Sequence, residues 1–187
     1  MTIKTLFLAS LLLSSTAYAQ NSIAVDINNK DVEILGSINL NTLNSYADGT
    51  TYILDLSYLH TEDASLSTIG ISGQNTLQGV AGLTLAFGAK AILAEDYFSL
   101  PLVAKVNYKL PLNGTIPSTS LIANFAYAPS VLSFSDAESY RELRVEADME
   151  VIPNIHLFTG YRNLHTEYKD NDLLFNNSFY GGMKLSF

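Results

Sequence analysis

The chain has 187 residues, 10 basic against 18 acidic side chains, no Cys and no Trp, and is 48% hydrophobic but only 15% charged. Its net charge of -8 excludes a nucleic-acid binder built on a basic face, and the lack of Cys excludes disulfides, zinc-thiolate sites, a thiol nucleophile and a lipidated cysteine. So few charges among so many apolar residues exclude disorder, and the length suits one domain.

The chain opens on an export signal. Lys4 precedes an apolar core from Leu6 to Leu13, then Ser14, Ser15 and Thr16 lead to Ala17-Tyr18-Ala19. That order reads as a signal peptide over residues 1–19, cleaved after Ala19. Its apolar core is too short to cross about 30 Å of hydrocarbon as a helix. Residues 20–187 then form the mature domain, which has no apolar run of helix-spanning length.

The mature domain alternates apolar and polar residues at period two, the pattern of strands. Predicted strands lie at about 22–28, 32–41, 51–60, 66–74, 80–93, 99–110, 118–128, 139–151, 154–166 and 175–187. The first two are short and weakly patterned, and without them the count falls to eight. The clearest is Glu142 to Val151. Leu143, Val145, Ala147, Met149 and Val151 take one face, and Glu142, Arg144, Glu146, Asp148 and Glu150 the other. The prolines at 101, 111, 117, 129 and 153 fall at the ends of these runs, where they do not interrupt the hydrogen-bond ladder.

A soluble sandwich also alternates. Three features favour a membrane barrel. Aromatics gather near predicted strand ends: Tyr52, Tyr58, Tyr108, Tyr127, Tyr140, Tyr161, Phe179 and Phe187. The last strand ends on Leu185 and Phe187, with Tyr180 and Gly182 before them, in the manner of the C-terminal signal read by the outer-membrane barrel assembly machinery. Connections near the C-terminus alternate in length: 167–174 long and polar, Pro153-Asn154 short, 129–138 long.

Tyr127 to Ser133, Glu138 to Glu142 and Gly160 to Leu164, with the Gly-rich pair around 70–90 and Gly181 to Phe187, resemble the YfaZ family of small Gram-negative outer-membrane proteins. The resemblance implies an outer-membrane β-barrel. It implies no reaction, ligand or catalytic residue.

With the apolar faces outward, the lumen receives Asp55, Lys90, Lys105, Lys109, Glu142, Arg144, Glu146, Asp148, Glu150, Arg162 and Lys184. Acids and bases nearly balance in that set, so a salt-bridged filling is expected, with Arg162 facing the acidic row of Glu142 to Glu150. A narrow polar channel is the sharper alternative, and a cation site on that row a further one. An acyl-hydrolase site would need Ser, His and an orienting acid. Only His60, His156 and His165 are present, with Glu62 and Glu167 near two of them and Ser139 or Ser178 as nucleophile.

The expectation is therefore an all-β, antiparallel up-and-down transmembrane barrel of about ten strands in the outer membrane of a Gram-negative bacterium. It is expected to be structural, surface-interacting or narrowly permeable, with no enzymatic site, metal or cofactor. Expected partners are outer-membrane lipid, lipopolysaccharide (through loop acids Asp170 and Asp172) and the assembly machinery, without nucleic acid. A lipid-modifying barrel enzyme and a soluble periplasmic sandwich or lipocalin-like binder are the alternatives.

Overall fold

The structure, a computed structural model, describes residues 21–42, 49–62, 64–112, 114, 116–168 and 171–187. The expected leader, residues 1–19, lies outside the described residues. Ten strands form the barrel: β1 (Ser22–Ile27), β2 (Val32–Asn39), β3 (Thr51–His60), β4 (Ser65–Thr76), β5 (Leu83–Ala94), β7 (Leu102–Lys109), β8 (Ser118–Ala128), β10 (Ala137–Ile152), β11 (Ile155–Tyr168) and β12 (Asn171–Ser186). Two short strands, β6 (Tyr97–Ser99) and β9 (Ser133–Ser135), pair with each other over one end.

Each barrel strand pairs antiparallel with its neighbours along the chain. The circle closes where β1 meets β12, with Ser22 opposite Ser186. The start of β1 and the end of β12 therefore lie at one end of the barrel, the terminal end, and β6 and β9 lie at the other, the distal end. The two weakly patterned N-terminal strands belong to the barrel. Their alternation is short but real: Ile23, Val25 and Ile27 point out, while Ala24 and Asp26 point in.

The exterior is apolar. Leu56, Ile71, Phe87, Leu102, Val106, Leu121, Phe125, Val145, Leu157, Phe179 and Met183 are all exposed on it. In water this surface would be an aggregation hazard, and in a bilayer it is the lipid contact. Tyr52, Tyr58, Tyr127 and Phe179 are among the exposed outer residues, as the aromatic pattern predicts, but Tyr140 is not. It faces the lumen and is fully buried, because residue 140 shares the inward parity of Glu142 and Arg144.

The predicted alternation of loop lengths holds only in part: the connection expected over 129–138 is long, running over 129–136 between β8 and β10, but the last one is not. The connection expected over 167–174 shrinks to 169–170, since β11 continues to Tyr168 and β12 starts at Asn171. Glu167 lies opposite Asp172 and Tyr168 opposite Asn171, so the ladder continues through polar residues. The terminal end instead carries some longer connections, 40–50 and 110–117. Only the β10–β11 turn is as short as expected, with Asn154 at φ 70. Asn accepts that left-handed backbone better than most residues, and Glu150 caps the turn by accepting the Asn154 N–H at 3.1 Å.

Two glycines let lumen aromatics lie flat on neighbouring strands. A Cβ on Gly160 would stand 2.6 Å from both the Tyr180 hydroxyl and the Val145 carbonyl. One on Gly182 would stand 2.4 Å from the Phe158 ring and from the Val25 carbonyl. Phe158 and Tyr180 meet edge to face at 6.2 Å.

Candidate functional site

The lumen is built in three layers. At the distal end Leu59, Leu66, Ile92, Tyr140 and Leu164 converge, none more than 3% exposed, with Tyr97 of β6 packed on them. Tyr97 donates to the Ser139 carbonyl at 2.6 Å, which ties the β6–β9 pair down over this plug. Each of these residues takes the inward position of its strand, so an apolar residue there interrupts the polar inner face and fills the bore.

Below the plug lies a belt of buried charge. Arg144 donates to Glu33 at 2.9 and 3.2 Å and lies 3.5 Å from Glu142. Arg162, with no exposed surface, donates to Glu33 and stands 3.6 Å from Asp26 and 3.8 Å from Asp31. Asn176 accepts from Arg162 at 3.1 Å and donates to Asp31. Lys90 pairs with Glu142, which also accepts from Tyr140 at 2.5 Å. The Tyr180 ring lies against both guanidinium groups, at 5.2 and 5.7 Å. Opposite charges at these distances hold five strands to one another through side chains, independently of the ladder.

Beside the belt a cavity of about 240 Å³ runs from the inner side of the plug, at Leu59, Tyr140 and Leu164, to Ser22, Ser37 and Lys184 toward the terminal end. Lys184 pairs with Asp148, whose other oxygen lies 2.7 Å from His156 Nδ1. Asp55 accepts from Ser37 at 2.5 Å, and Glu146 from Tyr180 at 3.1 Å. Lys105 lines the same cavity with neither an ion pair nor a hydrogen bond to the described residues.

The sequence-predicted lumen residues therefore divide. Lys90, Glu142, Arg144, Arg162, Asp148 and Lys184 are ion-paired. Asp55, Lys105 and Glu146 line the cavity without an ion partner among the described residues. Glu150 caps a turn and Lys109 is exposed at the terminal rim. Arg162 does not face the acidic row. Its ladder neighbour on β10 is Arg144, and its carboxylates come from β1, β2 and the turn between them. Asp26, Asp31 and Glu33 are absent from the predicted set because alternation in the first two strands is short and weak, although Asp26 and Glu33 each stand between two apolar residues. These additions make the lumen more acidic than the predicted set. The row of four acids is split among Lys90, Tyr180, Lys184 and a turn, and among the described residues no group of three or more acids and histidines is arranged to hold a metal ion. The C-terminal residues also divide: Tyr180 and Gly182 face the lumen, and Leu185 is exposed outside.

The two possible enzyme sites lie on the outer surface. Ser139 donates to Glu167 at 2.5 Å, while His165 is 3.7 Å from the other oxygen of Glu167. The acid thus stands between serine and histidine, where a triad needs the histidine. His60 lies 2.9 Å from the Ser65 hydroxyl, but Glu62 faces Lys30 at 3.5 Å. Asp170 and the Asp172 side chain are outside the described residues.

The YfaZ family, described as YfaZ precursor, matches residues 2–187. The chain belongs to the YfaZ family. No curated protein matches this YfaZ-family chain. A solved KdgM porin in complex with disordered oligogalacturonate is similar at 8% identity and TM-score 0.49, over 89% of this chain and 98% of that one. A second KdgM porin structure is similar at 8% identity and TM-score 0.47, over the same shares. Likeness at this level carries no information about the lumen. Family, closed barrel and lipid-suited exterior together make this YfaZ-family chain an integral β-barrel of the Gram-negative outer membrane.

Proposed function

We propose that this barrel is a non-enzymatic envelope protein whose bore is closed at rest, rigid at its centre and open only toward the terminal end. The observation that carries the reading is the distal plug, where Leu59, Ile92, Tyr140 and Leu164 exclude solvent across the bore. Small barrels are filled by their own side chains, and wide aqueous pores need many more strands. An exported chain that inserts hairpin tips first leaves both termini behind, so the terminal end faces the periplasm and residues 1–19 are removed on export. The placement of Glu167 between Ser139 and His165 supports the non-enzymatic reading.

Planar-bilayer recording tests this. The wild-type barrel should show no resolved openings, and Tyr140→Ala combined with Leu164→Ala should produce them. Stable wild-type openings that the double substitution leaves unchanged would sink the closed-bore reading.

A further inference from the structure

In the belt every charge faces an opposite charge, although both Asp26 oxygens, Arg144 Nε and Arg162 Nη2 lack hydrogen-bond partners, whereas the cavity it borders holds charges with no opposite partner among the described residues. Asp55 and Glu146 carry only neutral hydrogen-bond donors, and Lys105 has no partner among the described residues. Beside Lys105, across the β7–β8 ladder, Asn124 presents a buried amide oxygen with no donor. Asn107, two residues along β7, presents another. Orphaned polar atoms and unpaired charges inside a confined bore are costly unless something occupies the space. Of the four cations that line the cavity only Lys105 is unpaired, and it stands with Asp55, Glu146 and the Asn124 oxygen around about 240 Å³, room for roughly eight waters or one small solute.

A plain anion would satisfy Lys105 and be repelled by the two carboxylates. A plain cation would meet the reverse. A molecule with one carboxylate and one ammonium answers all of these groups. We infer that the cavity is a binding site for a small zwitterionic solute, its carboxylate held by Lys105 and its ammonium by Asp55 and Glu146, with Asn124 accepting a further N–H. The solute enters from the terminal end, because the plug closes the other. The site rests on the closed-bore reading, which separate conductance recordings on the same preparation check independently.

Equilibrium dialysis of the refolded full barrel in detergent, with 4-aminobutyrate, butyrate and n-butylamine as matched probes, tests it. 4-Aminobutyrate should bind saturably and about tenfold or more tightly than either single-charge analogue. Lys105→Met should bring its affinity down to that of n-butylamine, and Asp55→Asn with Glu146→Gln to that of butyrate. Lys105→Gln provides a second, isosteric-polar variant, and each variant should keep its heat-modifiable gel mobility. Absence of saturable binding by the wild type, equal binding of butyrate, or 4-aminobutyrate binding indifferent to both Lys105 substitutions would each overturn the proposal. A barrel that conducts yet binds 4-aminobutyrate through Lys105 would refute only the closed bore.

Discussion

The plug and the belt fill neighbouring slices of the same bore by opposite means. The plug uses Leu, Ile and Tyr side chains that need only shape, and a loss there leaves a void. The belt uses Arg144, Arg162, Asp26 and Glu33, which need each other, and a loss there leaves a buried charge. A hydrophobic filling closes a bore, but any register that presents enough apolar side chains can close it. Charges fixed to partners on distant strands are satisfied in only one register, so the belt is the part that specifies how β1 and β2 meet β10 and β11.

Breaking the belt should cost most. Arg162→Met leaves Asp26 and Asp31 without their nearest cation and Glu33 with Arg144 alone, and should lower unfolding stability by about 3–5 kcal/mol in a urea titration followed by gel mobility. Arg162→Glu should be rescued in part by Glu33→Lys and not by Glu146→Lys, since Glu146 is not its partner; equal rescue by both would dissolve the distinction between register and filling. The plug should come next, and Leu59→Ala should cost about 2–4 kcal/mol by the same titration. Gly160→Ala forces a methyl onto a backbone carbonyl and the Tyr180 ring that serves the belt, with an expected loss of about 1–3 kcal/mol.

The smallest effect sharpens the plug. Burial pushes the Tyr97 phenol up to about 12, whereas in the unfolded chain it titrates near 10. The unfolded state therefore loses its proton first, and the stability from Tyr97 is full below pH 10 and lost as pH rises toward 12. Tyr97→Phe should cost about 1 kcal/mol at pH 8 through the lost bond to Ser139, and should shrink the gap between wild type and variant at pH 11. A gap unchanged by pH would separate Tyr97 from the plug.

Most of the fold was legible because period two survives in every strand, even the six residues of β1. The strands at 51–60 and 118–128 match their predicted limits, since proline or turn residues bound them. The loop predicted at 167–174 is mostly ladder, because polarity alone does not make a segment irregular. Where strands rise beyond the lipid, polar residues continue a ladder as well as apolar ones do. The candidate site was half legible. Parity alone delivers the inner face, so Lys90, Glu142 and Arg144 could be placed in the lumen. It does not say which strands meet across the bore, because that depends on tilt and shear. The pairing of Arg162 with Glu33, 129 positions apart in the chain, left no trace in local spacing.

The seam between β1 and β12 has a consequence in time. It is formed by only six opposed positions, Ser22 to Ile27 against Gly181 to Ser186, although β12 runs on to Asn171. Every other closure joins neighbours in the chain, while this one gathers the whole chain into a loop for a short ladder. Its entropy cost is the largest of all the pairings and its return among the smallest. Sealing of the circle is thus expected to be the late, slow event of assembly. With no native cysteine to interfere, engineered cysteine pairs at 157 with 183 and at 25 with 183 would time it: cross-linking across the seam should lag, and simultaneous appearance of both would refute the order.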